Sequence, residues 1–443
     1  MGETSHLIQK YFPSSDGEMR FGGIRASTLA SKYGTPLFAY DASVMERKLS
    51  QLREVLPPEF AISYSIKANP NATILKFFLK KGCGLEIASA GEFYQAIKAG
   101  CSPDRMLFAG PGKTEAELEY VVARGIGEIH VESLREAERL NRISRRLGIR
   151  TNVAIRVNPN EEAQGGAMRM GGKSAPFGVD EEDLDAFLGR VLAEDCLLLR
   201  GIHLFSGTQI LDAETLLRQY RNGLEVARRV ARRLGQPLHT VDFGGGLGIP
   251  YFAHERELDL VRLKQGMTEL RASIRSDDLF LGTQFLVEPG RFLVGEAGVY
   301  ITRVSDIKVS RGKKYVILDG GMNHHLAASG NLGQTIKRNY PIAVLNKLDA
   351  PAVEAVELVG PLCTPLDVLG RSIQLPDIAV GDLVGVLLSG AYARAASPLG
   401  FLSHPAPPEI WVEEGKDSLI RRRGVFEDYL SDQHAELLHV KEP

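Results

Sequence analysis

The sequence predicts an α/β fold in two parts, a closed (β/α)₈ barrel of the TIM type followed by a mostly antiparallel β domain. Two observations predict it. Between about residue 60 and residue 290, eight short apolar runs alternate with amphipathic stretches, as the repeated βα units of a barrel do. From about residue 298 the helical spacing gives way to strand-like runs separated by turns. A doubly wound open sheet is the alternative for the first part.

The eight apolar runs have the composition of buried parallel strands. Most are rich in β-branched or aromatic residues, and several lead directly into Gly, Asn or Ser. They cover residues 60–66, 84–88, 105–110, 128–132, 152–157, 201–206, 240–245 and 284–289. Helical spacing of apolar residues predicts seven helices between them, over residues 71–81, 90–99, 114–124, 133–147, 180–194, 213–234 and 257–275.

The β domain is predicted from runs that lack helical periodicity. These runs are VYITRVSDIKVS, KKYVILDGG, AVEAVELVG, RSIQLPDIAVGDLVGVLL and EIWVEEG. Gly381-Asp382 and the proline-rich PAPPE (405–409) supply turn or edge signals between them.

Composition excludes several classes of protein. The chain has 443 residues and a net charge of -2, from 53 Lys and Arg against 55 Asp and Glu, so nothing electrostatic favours nucleic acid or an anionic membrane as partner. The four cysteines have neither disulfide-framework nor zinc-finger spacing, and we expect reduced thiols in a cytoplasmic protein. No apolar run approaches 18 residues, and MGETSHLIQKYF lacks the apolar core of a signal peptide.

Chemistry is expected where the carboxyl ends of the barrel strands meet. Lys67 follows the first strand, in SYSIKANP. A solvent-facing lysine at the start of a loop is the simplest interpretation. A lysine at a desolvated barrel mouth, however, has a lowered pKa and can form a Schiff base with a carbonyl group.

A glycine run, GGGLG, follows the seventh strand at residues 244–248. One glycine there is explained by a tight turn, but three in a row exceed what a turn requires. Backbone amides without side chains can surround an anion, and barrels often bind phosphate after this strand. We therefore expect a phosphate site at this run.

Glu288 ends the eighth strand, which neighbours the first strand in a closed barrel. A carboxylate beside a Schiff-base lysine and a phosphate site suggests pyridoxal 5'-phosphate, because the acid keeps the ring nitrogen protonated and the ring can then accept electrons. An ordinary ion pair of Glu288 with Lys67 or Arg291 is the alternative.

Several motifs together resemble one family. In chain order they are YSIKAN, SAGE, RVNPN, GIHLFSGTQ, DFGGGLG, VEPGR, GPLC and GAY, between about residues 25 and 412. They resemble the fold-type III pyridoxal-phosphate decarboxylases, the group of diaminopimelate, ornithine and arginine decarboxylases. The resemblance implies an alanine-racemase-like barrel over residues 37–297, a β domain built from residues 1–36 and 298–443, and a homodimer whose active sites are shared between subunits.

The resemblance also implies roles for individual residues. Lys67 is the Schiff-base lysine, and Glu288 is the partner of the ring nitrogen. The implied phosphate cradle consists of Gly244, Gly245, Gly246, Thr208 and Tyr392. Arg291 is placed beside the phosphate or the substrate carboxylate. Glu86 and Arg156 orient the ring and the lysine.

Two further implied residues belong to the β domain. Cys363 of the partner subunit would return a proton to the substrate carbon after CO₂ has left, although a buried structural cysteine is the alternative. Asp367, four residues further on, is placed near the substrate.

The sequence departs from the family pattern at positions that bear on the substrate. Phe205 stands where many relatives stack a histidine on the cofactor ring, and His203 either compensates or is a core histidine. Thr364 and Pro365 follow Cys363, where diaminopimelate decarboxylases carry Glu and ornithine decarboxylases carry Asp. A neutral threonine cannot balance a distal ammonium group.

The motifs MNHHLAASGN, GPLCTPLD and FLSHP are similar to a subgroup that acts on aminoacyl groups of carrier proteins or is associated with exopolysaccharide export. We therefore expect decarboxylation of an L- or D-amino acid or of a carrier-bound aminoacyl group, with a small amino acid or an acyl or peptidyl carrier protein as partner.

The alternatives are diaminopimelate decarboxylation in lysine biosynthesis and amino-acid racemisation. Racemases of this fold pair the ring nitrogen with arginine, so Glu288 favours decarboxylation. A non-catalytic relative and a cofactor-free Schiff-base aldolase are the alternatives outside this class.

Overall fold

The computed structural model describes residues 3–14, 16–160, 168–169, 174–205, 207–334 and 336–433. The chain forms two compact units. The barrel unit consists of Glu46–Pro250 and His254–Val294, and the β-rich unit consists of Met1–Met45, Tyr251–Ala253 and Gly295–Pro443. Among the helices described, none is long and apolar enough to cross a membrane.

The barrel unit contains the predicted closed barrel of eight parallel strands. In chain order the strands are Phe60–Ser65, Gly84–Ile87, Met106–Phe108, Glu128–Val131, Thr151–Asn158, Leu197–Leu204, Thr240–Asp242 and Gln284–Val287. Each strand pairs with its neighbours in the chain, and the eighth pairs with the first, Val287 opposite Ile62. This closure excludes the open doubly wound sheet. It brings the carboxyl ends of all eight strands to one face.

All seven predicted helices are present between the barrel strands. They are Ala72–Lys80, Ala90–Lys98, Glu115–Val122, Leu134–Leu147, Leu184–Leu192, Ala213–Leu234 and Leu260–Arg275. Most begin at a side chain that accepts a hydrogen bond from a backbone amide two or three residues later. Ser89, Ser133 and Asp212 are three such caps. The short helix Arg291–Val294 follows the eighth strand.

The β-rich unit contains a nine-stranded, mostly antiparallel sheet, as predicted. Its strands are Leu37–Asp41, Gly298–Ser310, Lys313–Leu318, Ile342–Val344, Glu354–Val359, Val368–Leu375, Leu383–Val386, Glu409–Glu413 and Lys416–Arg421. The strand Gly298–Ser310 is central, since it pairs with three others. Besides Arg291–Val294, three helices that were not predicted precede the first barrel strand, Glu3–Tyr11, Ala26–Tyr33 and Ala42–Val55.

The structure differs from the expected domain boundary at the strand Leu37–Asp41. A barrel that begins at residue 37 would include this strand, but it pairs with Gly298–Ser310 and Glu409–Glu413 in the other sheet. All five of its residues are buried. A short run buried on both faces has the same composition in either sheet, so its sequence does not reveal which strands it will join.

Candidate active site

Lys67 and Glu86 meet at the carboxyl ends of the first two barrel strands. Lys67 lies in the turn Ile66–Ala68, directly after the first strand, and Glu86 lies on the second. The Lys67 Nζ atom is 3.1 Å from both carboxylate oxygens of Glu86, and the Ser65 hydroxyl also donates to this carboxylate. The Glu86 side chain is buried, whereas that of Lys67 is 45% exposed. The amine of Lys67 therefore stands at the barrel mouth, paired with a buried carboxylate.

Glu288 follows the eighth strand and is buried. Its Oε2 atom lies 3.3 Å from Nε2 of His203, which is also buried. Burial raises the pKa of Glu288, but His203, His130 and Lys67 oppose this effect and hold the pKa well below its usual value. The Oε1 atom of Glu288 has no hydrogen-bond partner among the described residues. The carboxylate is therefore an anion with one oxygen left over for a donor.

The glycine run after the seventh strand approaches other backbone segments so closely that it leaves no room for side chains. A Cβ atom on Gly244 would lie 2.6 Å from the carbonyl oxygen of Leu204, and one on Gly245 would lie 2.6 Å from that of Glu288. Gly244 and Gly246 also have φ values of +66° and +101°, which favour glycine. The fold therefore requires glycine at these positions.

Thr208 and Phe205 lie beside this run. Thr208 belongs to the short strand Gly207–Thr208, and the amide of Ile210 donates to the carbonyl of Gly246 at 2.9 Å. The Phe205 ring borders Gly244, since a Cβ atom there would lie 2.9 Å from the ring edge. Phe205 therefore lies beside the glycine run through its ring, and Thr208 lies near it through its neighbour Gly207, whose carbonyl oxygen would be 3.0 Å from a Cβ atom on Gly246.

Arg156 is held by a buried acid that the sequence reasoning missed. Its Nη1 atom donates to Oε1 of Glu132 at 2.9 Å, and Glu132 also accepts from the amides of Gly110 and Gly178. Burial raises the pKa of Glu132, but Arg156 and the buried Lys113 outweigh this effect and lower it. The guanidinium carbon lies 5.9 Å from the centre of the Phe205 ring. Arg156 is therefore fixed in orientation beside Phe205.

His130 and Asp242 are two further buried polar residues that were not predicted. The signal available in the sequence is alternation, because EIHVE and TVDF place polar side chains at every second position of a strand otherwise expected to be apolar. Such residues point into the barrel. The sequence left open whether His203 compensates for the missing stacking histidine or is a core residue. Its polar atoms lie close to those of His130, Asp242 and Glu288, and it contacts Glu288.

Three predicted residues, Cys363, Asp367 and Tyr392, belong to the β-rich unit. Cys363 is exposed, which contradicts the alternative of a buried structural cysteine. Asp367 is buried, and its two carboxylate oxygens accept from the amides of Met322 at 2.6 Å and Leu362 at 2.9 Å. These bonds tie both carboxylate oxygens of Asp367 to the backbone, and its expected contact with substrate stays a prediction. The backbone of Tyr392 lies in the left-handed region, with a φ value of +52°.

The barrel residues fit pyridoxal phosphate. The cofactor needs an amine for its aldehyde, an anion cradle for its phosphate and an acid for its ring nitrogen. Lys67 would supply the amine, the closely packed glycines would supply backbone amides, and Oε1 of Glu288, unpartnered among the described residues, would face the ring nitrogen. A barrel with these three features at one mouth defines a pyridoxal-phosphate enzyme of the alanine-racemase-like fold.

Comparison with known proteins identifies the family. The family profile described as pyridoxal-dependent decarboxylase, pyridoxal binding domain, matches residues 42–295. The chain belongs to the pyridoxal-dependent decarboxylases and is a carboxy-lyase, as the sequence motifs predicted.

Individual relatives cover nearly the whole chain. The chain is 38% identical to the L-glutamyl-[BtrI acyl-carrier protein] decarboxylase of Niallia circulans, over 92% of this chain and 95% of the relative. It is 32% identical to the diaminopimelate decarboxylase of Aquifex aeolicus, over 96% and 98% of the two chains. The crystal structure of diaminopimelate decarboxylase from Helicobacter pylori complexed with L-lysine has a TM-score of 0.82 and 29% identity, covering 94% of this chain and 100% of that chain.

Proposed function

We propose that the chain decarboxylates a glutamyl group, or a closely similar aminoacyl group, attached to an acyl carrier protein. The observation that carries this proposal is the 38% identity to a glutamyl-carrier-protein decarboxylase, against 32% to the Aquifex diaminopimelate decarboxylase. Thr364 supports it, because a neutral side chain after Cys363 offers no charge to a distal ammonium group.

The chemistry restricts how the substrate is attached to its carrier. Decarboxylation at Cα breaks the bond between Cα and a free carboxylate, releases CO₂ and adds one proton to Cα. A glutamyl group must therefore be joined to the carrier through its side-chain carboxyl group, and its product is a 4-aminobutyryl group still on the carrier. The distal end of such a substrate is a neutral thioester, which Thr364 can accommodate.

The barrel residues would have distinct roles in this reaction. When bound, pyridoxal phosphate supplies an electron sink for the pair left at Cα. Lys67 would hold the cofactor through its aldehyde, and Gly245 and Gly246 would bind the phosphate through their backbone amides, whereas the amide of Gly244 already donates to Asp242. Glu288, with one buried oxygen free among the described residues, holds the proton on the ring nitrogen.

The cofactor assignment is tested with Lys67→Ala and the control Lys76→Ala, an exposed lysine on the helix Ala72–Lys80. After reconstitution with pyridoxal phosphate, we expect visible absorbance that borohydride abolishes in wild type and in Lys76→Ala, and a large loss of this band in Lys67→Ala. An unchanged borohydride-sensitive band in Lys67→Ala would assign the Schiff base to another lysine.

We further propose a cytoplasmic homodimer in which Cys363 of the partner subunit donates the proton to Cα. Coexpression of Lys67→Ala and Cys363→Ala chains tests this arrangement. If each site combines Lys67 of one chain with Cys363 of the partner subunit, mixed dimers contain one intact site, and random pairing restores roughly a quarter of wild-type activity. Activity no higher than the sum of the two separate variants would contradict shared sites.

The substrate proposal is tested by CO₂ release from three substrates at equal concentration: glutamyl-carrier protein, free glutamate and free meso-diaminopimelate. We expect the carrier-bound substrate to react fastest. A higher kcat/KM for diaminopimelate would overturn the proposal while leaving the cofactor assignment intact.

Free diaminopimelate is the second candidate substrate, favoured by the similarity to diaminopimelate decarboxylases over nearly the whole chain. Thr364→Glu, with Thr364→Gln as its neutral control, separates the two candidates. A new carboxylate would raise the kcat/KM ratio of diaminopimelate to glutamyl-carrier protein by about tenfold, the effect of one added ion pair. An equal change in Thr364→Gln would mean that size rather than charge sets specificity.

A further inference from the structure

A cluster of four buried polar side chains fills the barrel interior next to Glu288. Polar atoms of His130, His203, Asp242 and Glu288 all lie within 4.8 Å of one another. The four residues are at most 6% exposed. Among the described residues, Nδ1 of His130, both ring nitrogens of His203, Oδ2 of Asp242 and Oε1 of Glu288 make no standard hydrogen bond. So many unpartnered polar atoms in one buried place call for a functional explanation.

Two carboxylates this close in a buried cluster cannot both be charged without large repulsion. Burial and the charge of Glu288 raise the pKa of Asp242 well above its usual value, although the amide of Gly244 donates to its Oδ1 at 2.8 Å. The pKa of Glu288 is shifted the other way, well below its usual value. Asp242 is therefore the neutral acid of the pair, and its proton belongs on Oδ2, the oxygen that lacks a partner.

His203 supplies a second donor to Glu288. Burial lowers the pKa of His203 to about 4, even though Glu288 opposes this effect, so the ring is neutral near pH 7. Its Nε2 atom lies 3.3 Å from Oε2 of Glu288. The contact lacks hydrogen-bond geometry as it stands. After a small rotation of the ring, a neutral imidazole with its proton on Nε2 would donate to that oxygen and leave Oε1 of Glu288 for the cofactor.

The cluster continues toward the opposite end of the barrel. The ring of His130 lies 4.4 Å from that of His203 between centroids, and its Nε2 atom is 3.2 Å from Oε1 of Glu128. Glu128 also accepts from the hydroxyl of Thr240 at 2.8 Å. It lines a cavity of about 480 Å³ at the amino ends of the strands. The network thus spans the barrel interior from the mouth to this cavity.

The four side chains are also of the types that bind zinc. One feature argues against a cation here, since a cation on Glu288 would compete with the ring nitrogen of the cofactor for the same carboxylate. The chemistry of the cofactor thus favours shared protons over a metal ion.

We propose that Asp242 and His203 are positioning residues for Glu288, the first as a neutral carboxylic acid and the second as a neutral imidazole, each donating a hydrogen bond that keeps Glu288 an anion directed at the cofactor ring nitrogen. The proposal rests on the cofactor assignment and is independent of the identity of the substrate. The proposal requires that an uncharged hydrogen-bond donor at either position is sufficient to keep Glu288 an anion.

The substitutions Asp242→Asn and Asp242→Ala test this requirement. An asparagine can accept from Gly244 with its oxygen and donate to Glu288 with its nitrogen, whereas alanine can do neither. We expect Asp242→Asn to keep the affinity for pyridoxal phosphate and kcat within about threefold of wild type, and Asp242→Ala to lose at least about tenfold in both, as loss of a hydrogen bond to a charged group predicts. Equal damage from both substitutions would overturn the proposal, since it would require an anion at position 242.

Unfolding of the cofactor-free protein supplies a second readout. Asp242 faces several titratable groups, Glu288, Glu128, His203, His130 and Tyr220. Above the ordinary pKa of aspartate and below its raised value, folded wild type holds a proton on Asp242 that the unfolded chain has released, so its stability falls with pH relative to Asp242→Asn. The ratio of the two unfolding constants should change by up to tenfold per pH unit in this window. Parallel pH profiles would contradict a neutral Asp242, and Asp104→Asn, at an exposed position, is the matched control.

His203→Gln and His203→Leu provide the second pair, in case Asp242→Ala does not fold. Glutamine retains a neutral donor and leucine does not, so cofactor affinity should be kept in the first variant and fall at least about tenfold in the second. Metal analysis of the purified holoenzyme completes the test. We expect no stoichiometric metal, and one equivalent of zinc that Asp242→Ala removes would overturn the proposal in favour of a metal site.

Discussion

Lys67 and Glu86 form a bidentate contact, in which the lysine nitrogen is 3.1 Å from each carboxylate oxygen of a side chain that is itself almost fully buried. The parallel pairing of the first two strands sets this contact, because Ser65 and Glu86 stand opposite each other and Lys67 comes two residues later. The rigid sheet thus determines where the amine is held before any cofactor binds.

Replacement of Glu86 by Gln should therefore slow the reaction without removing the cofactor. The amide keeps the shape of the carboxylate but loses the charge that orients the lysine, and misplacement of a reacting group by about 1 Å can cost on the order of 100-fold. We expect kcat/KM to fall by about 10- to 100-fold, with the borohydride-sensitive absorbance retained. Glu115→Gln, at an exposed position on the helix Glu115–Val122, should change neither quantity. Wild-type kinetics in Glu86→Gln would show that the charge of Glu86 is not needed.

Gly245 offers a test of the phosphate cradle. In Gly245→Ala the new methyl group would lie 2.6 Å from the carbonyl oxygen of Glu288, so the backbone of the cradle must move. We expect at least about a tenfold weaker affinity for pyridoxal phosphate, corresponding to about 1.4 kcal/mol, measured by absorbance titration of the cofactor-free protein.

Gly189→Ala is the matched control for that substitution. Gly189 lies in the helix Leu184–Leu192 with nothing within 4 Å of its Cβ position. Alanine there should leave cofactor affinity unchanged and stabilise the protein by about 0.5–1 kcal/mol. If both variants bound the cofactor as wild type does, the glycine run would not be the phosphate site.

The barrel could be predicted because each of its strands and helices has a local signal. Apolar runs alternate with amphipathic stretches, and the residues at the strand ends follow from the closed topology, which is why Lys67, Glu86 and Glu288 could be placed in one region. The strand Leu37–Asp41 could not be assigned to its sheet, because pairing partners far apart in the chain leave no trace in a run of five buried residues.

The site could be predicted less completely than the fold. Motifs identify residues that stand in loops after strands, where their types are unusual, and Gly244–Gly246 belong to this class. Asp242 and His130 sit inside strands and Glu132 directly follows one, so alternation can mark them as inward-facing, but their roles depend on neighbours from other strands. The motif position of Asp367 predicts that it lies near the substrate, but it did not reveal that the buried carboxylate also accepts two backbone hydrogen bonds.

Glu92 should make stability depend on pH near neutrality. It lies close to Lys67 and Glu86, and burial raises its pKa to about 7 from an ordinary value of 4.5, despite the hydrogen bond that it accepts from the amide of Ala88. Between these two values folded protein retains a proton that the unfolded chain has lost, so this group lowers stability as pH rises. Glu92→Gln should therefore gain in stability on wild type from pH 4.5 to 7, by about 1 kcal/mol or less because the side chain is partly exposed.

The measurement for Glu92 is urea unfolding of the cofactor-free protein at several pH values. Glu115→Gln serves as control, and its difference from wild type should stay constant over the same range. A stability difference for Glu92→Gln that does not change with pH would show that Glu92 titrates at its ordinary value.

Asp367 should act on catalysis through the loop that carries Cys363. Its two oxygens hold the amides of Met322 and Leu362, and the second of these precedes the cysteine by one residue. Gly321 and Gly360 pack so tightly against the carboxylate that a Cβ atom on either would overlap it. The carboxylate is thus the group around which the segment 360–363 is folded.

Asp367→Ala removes both hydrogen bonds and should destabilise the protein by about 2–4 kcal/mol. Asp367→Asn keeps one acceptor and should lose about half as much. Because either substitution loosens the loop, the rate at which a thiol reagent labels Cys363 should change. The factor by which kcat falls should exceed the factor by which KM rises. Asp377→Ala, at an exposed position in the same unit, should alter none of these quantities. If instead stability and labelling stayed at wild-type values while KM alone increased, Asp367 would be a direct substrate contact, because a group that binds substrate contributes to KM without holding the fold around Cys363.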